Sequence, residues 1–273
     1  MSWNAYKIVL RLRSPMHIGQ TKLGNLQRTR PYVLGKNLWG ALTSRITRDS
    51  TPAKNDDYRR VGQQVNDELA FSYFYPTSDE QIGLWPWDDP DQFSWQYLGA
   101  YASTALNYLQ NSAEEGSLHE TEFIAPTTRS GKVVNLVGYI FEKEDCSLPW
   151  KMALNRLQMG GERTYGWGRV DLCHISSGTT DVFGYYSLHL TGDRPGLMPN
   201  GNKRPLLAHT LAVGTNAVMA QGRLAPVVGR ETRIANAHGR ELSTASVCWE
   251  PGAVYEGSDL LEISPYGFWH ASR

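Results

Sequence analysis

The sequence has little cysteine, and what it has is not arranged as a framework. Its 273 residues include three cysteines, Cys146, Cys173 and Cys248, which are far apart and form no Cys-x-x-Cys pair. An odd and scattered set argues against disulfide bridges and against a cysteine-ligated zinc site. We therefore interpret the three thiols as buried or incidental side chains.

The chain also lacks net charge and long apolar runs. Its 27 Lys and Arg residues balance its 27 Asp and Glu residues, so a nucleic-acid site would need local charge asymmetry. No apolar run reaches the length of a membrane span, and charges interrupt the first apolar stretch, unlike in a signal peptide. We expect a cytoplasmic protein that has no membrane partner.

The hydrophobic patterns that are present predict an α+β fold. Strands are predicted over residues 5–13, 69–76, 132–142 and 168–175, and helices over residues 36–48 and 148–161. The resulting order is that of a ferredoxin-like (RRM-like) βαββαβ unit. The segments between them are predicted as an exposed loop over 16–35, a Trp-rich irregular insertion over 84–95 and a short helix over 100–112.

The composition changes after residues 176–181, where glycine and proline become frequent. Short strands are predicted at residues 185–190, 260–264 and 266–271. We therefore predict two regions: a ferredoxin-like domain with insertions over residues 1–178, and a smaller β-rich region over residues 179–273.

The segment GGERTYGWGRV, residues 160–170, has two interpretations. Its glycines could simply end a helix and form a tight turn before a strand. Alternatively, its bare backbone, cations and rings suit a phosphate backbone with unstacked bases. A Walker loop is excluded because GK[ST] is missing, and a dinucleotide fingerprint because the glycines precede a strand. The candidate RNA-binding residues are Gly160, Gly161, Arg163, Thr164, Tyr165, Gly166, Trp167, Gly168 and Arg169.

Three motifs together resemble the RAMP superfamily of CRISPR proteins. The glycine-rich segment resembles the family's G-G-x-[RK]-[ST]-x-G-x-G-[RK]-[VL] loop, and LRLRSPMHIG its first strand and S-P-x-H-x-G turn. YVLGKNLWGALTSRI resembles the segment that opens its first helix, although Asn37 replaces the usual Ser or Thr and Trp39 the usual Lys or Arg. The resemblance covers about the first 175 residues and implies a ferredoxin-like domain.

The resemblance implies a structural subunit of a type III CRISPR effector complex that holds the guide RNA (crRNA) by its backbone or by its 5′ handle through the glycine-rich loop. Residues 222–232 and 249–257 are similar to C-terminal segments of type III subunits, including the one that caps the 5′ handle in subtype III-D. The implied partners are the guide RNA, through it the target RNA, other RAMP subunits and the large subunit. No cofactor and no metal are implied.

Further RNA-binding candidates follow from the matched motifs and from neighbouring cations. They are His17 in the S-P-x-H-x-G turn, Arg28 and Arg30 in the loop after it, and Lys36 and Asn37 at the start of the first helix. Arg129 and Lys132 are predicted to lie on a hairpin that could approach the same RNA. All of these arginines could equally well be ordinary surface residues with no RNA contact.

Two alternative functions are left open. The first is a RAMP endoribonuclease that cleaves target RNA with a loop aspartate, Asp56 or Asp57, or guide RNA with His17 as general base. The second is a ferredoxin-like interaction module that binds no RNA. We favour a non-catalytic subunit because charged pairs in loops are usually solvated, and because the histidines show no metal-binding spacing.

Overall fold

Strands and helices alternate up to residue 177, and strands dominate beyond it. The computed structural model describes residues 1–50, 55–231 and 241–272. Its helices are α1 (Gly35–Asp49), α2 (Asn55–Glu68), α3 (Pro90–Tyr97) and α4 (Trp150–Ala153), with 3-10 turns at Leu154–Arg156, Arg163–Tyr165 and Pro265–Gly267. The strands up to residue 177 are β1 (Trp3–Leu12), β2 (Gly19–Leu23), β3 (Leu26–Thr29), β4 (Leu69–Phe71), β5 (Tyr75–Thr77), β6 (Leu98–Ser103), β7 (Leu106–Asn107), β8 (Ser112–Ala113), β9 (His119–Ile124), β10 (Asn135–Lys143) and β11 (Val170–Ser177). The later strands are β12 (Asp181–Val182), β13 (Tyr186–His189), β14 (Gly196–Pro199), β15 (Arg204–Pro205), β16 (Thr210–Leu211), β17 (Leu224–Glu231), β18 (Glu241–Trp249), β19 (Val254–Tyr255), β20 (Leu261–Ile263) and β21 (Trp269–Ala271).

The central sheet has the strand order of a ferredoxin-like fold. Its order is β11-β1-β10-β4, every neighbouring pair is antiparallel, and β5 continues the pairing with β10. The first and third strands of the βαββαβ unit are therefore central, with the fourth and second strands outside them. The predicted α+β, ferredoxin-like fold class is confirmed.

Both faces of this sheet are buried. Successive side chains of a strand point to opposite faces, so β1 places Ile8 and Leu10 in the core under the helices and Trp3 and Ala5 in a second core. The second core is closed by an eight-stranded sheet of order β12-β13-β14-β20-β21-β16-β18-β17. An RRM stacks bases on its open sheet face. In this chain that face is covered, so it cannot stack bases in this way.

The helix predicted over residues 148–161 is much shorter in the structure. Only α4 and the 3-10 turn Leu154–Arg156 are helical, and the chain is extended at Leu157. Two tertiary contacts end the helix early: Gln158 forms a β-bridge with Arg169, and the Met159 N–H donates to the Gly168 carbonyl at 2.9 Å. Local periodicity predicts a helix here, but strand pairing at its end prevails.

A second, four-stranded sheet replaces two of the predicted local structures. Its order is β2-β3-β9-β6. The expected loop over 16–35 contains the hairpin β2–β3, and the expected helix over 100–112 begins as part of β6 and continues into β7. β2 pairs locally with β3, but β3 and β6 both pair with β9, and such pairing with a distant segment is not reported by propensity.

Two further elements near the first helix differ from the prediction. The strand predicted over 69–76 is divided into β4 and β5, because Ser72 between them exchanges bonds with Tyr139: its N–H donates to the Tyr139 carbonyl at 2.9 Å and its Oγ accepts the Tyr139 N–H at 2.7 Å. Helix α2 was not predicted. Its Val61 and Val65 are buried at helical spacing, and it packs against α1.

None of the described helices is both long and apolar enough to cross a membrane.

Candidate nucleic-acid interface

Gly160 and Gly161 pack directly on the backbone of His17. The Gly161 N–H donates to the His17 carbonyl oxygen at 2.8 Å. A Cβ at Gly160 would lie 2.4 Å from the same oxygen, and the φ of Gly160 is +86°. Any side chain at Gly160 would therefore collide with backbone and strain the chain. The two adjacent glycines thus allow the turn that contains His17 to approach the glycine-rich segment.

Gly168 makes the second close contact between the same two segments. Its N–H donates to the Pro15 carbonyl at 2.7 Å, and the neighbouring Arg169 N–H donates to Ser14 Oγ at 3.0 Å. A Cβ at Gly168 would lie 1.8 Å from the Met159 carbonyl oxygen. The turn after β1 and the glycine-rich segment before β11 therefore form one structural unit.

Between these contacts, the chain forms a protruding 3-10 turn. Glu162 enters it in the left-handed region, with a φ of 54°, and Gly166 leaves it at a φ of 85°. The side-chain amide of Gln158 closes the turn by donating to the carbonyls of Arg163 at 3.0 Å and Trp167 at 2.8 Å. Three side chains at the apex are exposed: Arg163, Thr164 and Tyr165.

The turn and the residue just before β11 carry two arginines whose guanidinium groups have no carboxylate partner among the described residues. Arg163 and Arg169 are both exposed, and within residues 1–50, 55–231 and 241–272 neither has a carboxylate within ion-pair distance. Nearby Arg13 differs, because its Nε lies 3.2 Å from Asp171. Two unneutralised guanidinium groups beside exposed backbone are typical of a phosphate-binding surface.

The two rings of the segment have different environments. Trp167 is half-buried and packs edge-on against Phe123 of β9, with ring centroids 5.2 Å apart. Tyr165 is 80% exposed at the apex of the turn. Trp167 therefore anchors the turn to the second sheet, and Tyr165 is the ring that can stack on an unpaired base.

An open cavity of about 490 Å³ lies beside this anchor. Pro15 and Phe123 line one part of this cavity. Another part is lined by a hairpin that the bridge between Thr127 and Val133 closes. Arg129 lines the cavity from the hairpin, and its guanidinium donates to the Trp95 carbonyl at 3.3 Å. The predicted placement of Arg129 on a hairpin is confirmed.

The family comparison agrees with this geometry. A family model described as the RAMP superfamily matches residues 9–171, which include both segments that meet at His17. The chain belongs to the RAMP superfamily. The match covers more than half of the chain and ends in β11, just after the glycine-rich segment.

Two chains from solved structures of type III-B Cmr-beta align with this chain. One is a chain of the type III-B Cmr-beta complex bound to cognate target RNA and AMPPnP: the TM-score is 0.54, the identity 10%, and the alignment covers 91% of this chain and 85% of that one. A second is a chain of Cmr-beta bound to cognate target RNA, with a TM-score of 0.43, 17% identity, and coverage of 64% and 61%. No curated protein matches the sequence.

At the third RAMP motif, the start of α1, Lys36, Asn37 and Trp39 are half-buried. Trp39, which stands where the family usually has a cation, donates from Nε1 to the Gly62 carbonyl at 2.8 Å and packs edge-on against Tyr266 at 5.0 Å. The Lys36 ammonium lies 4.8 Å from the centroid of the same tyrosine ring, and Asn37 is half-buried beside it. The structure therefore gives this position a packing role.

Arg28 and Arg30 both have partners within the protein. Arg28 lies on β3 and forms an ion pair with Glu122 at 3.4 Å. Arg30 Nη1 donates to His209 Nε2 at 3.3 Å, so Nδ1 of that ring carries the proton and donates to Tyr73 Oη at 2.8 Å. Burial, with a further contribution from the Arg30 charge, lowers the pKa of His209 to about 3. Arg30 thus joins the β3 side of the protein to the C-terminal sheet.

His17 is in place but enclosed. Its side chain is 7% exposed, and Nδ1 lies 2.7 Å from the Glu122 carbonyl oxygen. A carbonyl only accepts, so His17 Nδ1 donates this hydrogen bond. These contacts hold the turn that supports Gly160 and Gly161.

The aspartates proposed for cleavage do not lie on a loop, which corrects the prediction. Asp56 and Asp57 belong to the first turn of α2, and the side chain of Asp56 lies outside the described residues. Asp57 forms an ion pair with Arg60 at 3.4 Å, one helical turn further on. The polar composition of residues 54–60 concealed a helix whose apolar residues begin only at Val61.

The described chain contains no group of three His, Cys, Asp or Glu side chains that could hold a metal ion.

Two residues important for the interface were missed at the sequence level. Gln158 closes the 3-10 turn, and Glu122 contacts both His17 and Arg28. Gln158 lies two residues before Gly160, so its position beside the glycine motif was a weak signal, whereas Glu122 is distant in sequence and had none.

Proposed function

We propose that this RAMP protein is a guide-RNA-binding, non-catalytic subunit of a type III CRISPR effector complex. The observation that carries the proposal is the 3-10 turn at Arg163–Tyr165, which presents Tyr165 and Arg163, with Arg169 close by, just before β11. Guanidinium groups bind phosphates bidentately, and an exposed ring stacks on a base without reading its identity. A subunit that holds a guide needs such sequence-tolerant contacts, because base pairing supplies the specificity.

The fold likeness supports the choice of assembly. The chain aligned over 91% of this protein belongs to a type III-B complex bound to target RNA. Its neighbours in a complex would be other RAMP subunits and the large subunit, with target RNA held through the guide. Balanced net charge fits a subunit whose surface is largely covered by protein neighbours and whose RNA contact is local.

The test measures retention of guide RNA by the complex expressed with its genomic neighbours. The double variant Arg163→Ala/Arg169→Ala should lower affinity for a repeat-derived RNA about tenfold. It should also reduce the slope of log affinity against log salt by about 1.4, or about 0.7 per lost phosphate contact. The matched control is Lys203→Ala/Arg223→Ala, which removes two exposed cations from the C-terminal region.

Equal RNA retention by both double variants would overturn the proposal. The RAMP fold would then stand as an interaction module without RNA. Loss of RNA in the control variant alone would instead place the RNA on the C-terminal region.

A further inference from the structure

The second cavity of interest lies where the ferredoxin-like sheet gives way to the C-terminal sheet. It measures about 500 Å³ and is bordered by the chain between β11 and β12, by β1 and by the Trp-rich segment. It lies at the opposite end of the eight-residue strand β11 from the glycine-rich turn, roughly 25 Å away. The cavity is therefore separate from the proposed RNA contact.

One side of this cavity is aromatic and held in place. Trp85 stacks on Trp87, with ring centroids 5.0 Å apart and an interplanar angle of 16°. Phe183 packs edge-on against Trp85 at 5.2 Å and against Tyr139 at 4.9 Å. Because these rings support one another, the wall keeps its shape without a ligand. This arrangement gives a role to the Trp-rich segment, which the RNA contact leaves unexplained.

Phe183 adopts a backbone conformation that bulky side chains avoid. Its φ is +53°, in the left-handed region, and its N–H donates to Tyr139 Oη at 3.1 Å. The Asp181 carboxylate fixes the same turn by accepting the Gly184 N–H at 2.6 Å. Backbone strain held by surrounding contacts is concentrated at sites that clamp ligands. In this turn the strain places an aromatic ring in the cavity wall.

The charge of the lining favours a cationic occupant. Two carboxylates, Glu80 and Asp181, line the cavity against one ammonium, Lys7, which leaves one net negative charge. A nucleotide would bring its phosphate next to both carboxylates. A guanidinium group, in contrast, binds carboxylates through its planar fork and stacks on aromatic rings.

We propose that this cavity, the Trp85–Phe183 cage, binds an arginine side chain from a neighbouring protein in the assembly. The partly exposed rings of Phe183 and Tyr185, supported from behind by buried Trp85, contact the guanidinium plane, and Glu80 and Asp181 neutralise its charge. The net negative charge of the lining disfavours phosphate and favours a protein occupant, and this distinguishes the surface from the glycine-rich turn. The inference goes beyond RNA binding and does not depend on it.

The first test titrates the intact protein with N-acetyl-arginine methylamide and follows amide and indole NMR signals. Saturable shifts of Phe183, Gly184 and the Trp85 indole are expected, at millimolar ligand. The citrulline analogue, which has the same shape without the charge, should bind at least tenfold more weakly. Equal binding of citrulline, saturation by adenosine 5′-monophosphate at the same signals, or no shift at all would overturn the proposal.

A pair of isosteric variants isolates the carboxylates. Glu80→Gln/Asp181→Asn should weaken arginine binding at least tenfold, while the turn can still form because an amide oxygen also accepts the Gly184 N–H. The control Glu115→Gln/Asp145→Asn removes two exposed carboxylates that do not line the cavity. Equal affinities of the two double variants would contradict the cage.

The second test identifies the occupant in the assembled complex. A photo-crosslinking phenylalanine at Tyr185, which lines the cavity, should join this subunit to an arginine-containing peptide of another protein. Crosslinks to RNA alone, or no crosslink to protein in an intact complex, would overturn the assignment.

Discussion

The carbonyl oxygen of His17 accepts the N–H of Gly161 at 2.8 Å, and it occupies the space that a Cβ at Gly160 would need. This contact joins two RAMP motifs that are more than a hundred residues apart. The structure of the glycine-rich turn therefore depends on a residue in the turn after the first strand, and variants in either segment should affect both.

Gly168→Ala should lower the free energy of unfolding far more than Gly166→Ala does. Both residues have a φ in the left-handed region, which costs an alanine about 1–2 kcal/mol. At Gly168 the new methyl would also lie 1.8 Å from the Met159 carbonyl, so we expect a total loss of about 3 kcal/mol or more. At Gly166 there is open space, which makes this variant the matched control. Urea denaturation measures both, and equal losses would contradict the close approach.

Tyr165→Ala and Trp167→Ala should affect different properties. Tyr165 is exposed, so its removal should leave the melting temperature unchanged and weaken RNA binding by about 1–3 kcal/mol, the value of one stacked base. Trp167 packs on Phe123, so its removal should lower stability by about 2 kcal/mol. Calorimetry and RNA titration on both variants separate the effects. Unchanged RNA affinity of Tyr165→Ala would show that the ring does not stack on a base.

The stability of the protein should depend on His209 in mild acid. Burial lowers the pKa of His209 to about 3, below the ordinary value of 6.5 that applies in the unfolded chain. Between pH 3 and pH 6.5 the unfolded state binds one more proton than the folded state. The contribution of neutral His209 to the free energy of unfolding is therefore fully present above pH 6.5 and is lost as the pH falls towards 3. The expected slope is up to about 1.4 kcal/mol per pH unit.

The measurement for His209 is urea denaturation between pH 7 and pH 5. His209→Gln should be less stable at pH 7, because the bonds to Arg30 and Tyr73 change, but it should show a flatter pH dependence. The control His174→Gln alters an exposed residue and should retain the slope of the natural protein. A slope that survives in His209→Gln would assign the pH dependence to other groups.

Asp57→Asn should leave both stability and RNA cleavage by the assembled complex unchanged. Asp57 lies on α2 in an ion pair with Arg60, and surface pairs of this kind contribute about 0–1 kcal/mol. The comparison variant is Asp67→Asn on the same helix. Loss of target cleavage in Asp57→Asn alone would favour the endoribonuclease alternative.

The sequence by itself determined the strand and helix order of the ferredoxin-like unit and the identity of the glycine-rich turn. Helix α1 and strands β1, β10 and β11 lie close to their predicted positions, because each combines a clear hydrophobic period with recognisable end signals. Gly160 and Gly168 could be singled out because only glycine combines a positive φ with backbone contact.

The tertiary structure alone decided which of the candidate residues face solvent. The candidates Arg30 and Lys36 are both half-buried, because they contact His209 and the Tyr266 ring. The early end of α4 and the strand β6 likewise depend on pairing with distant segments. Contacts of this kind are absent from any local window of sequence, and their energies exceed the small differences in local propensity that a sequence records.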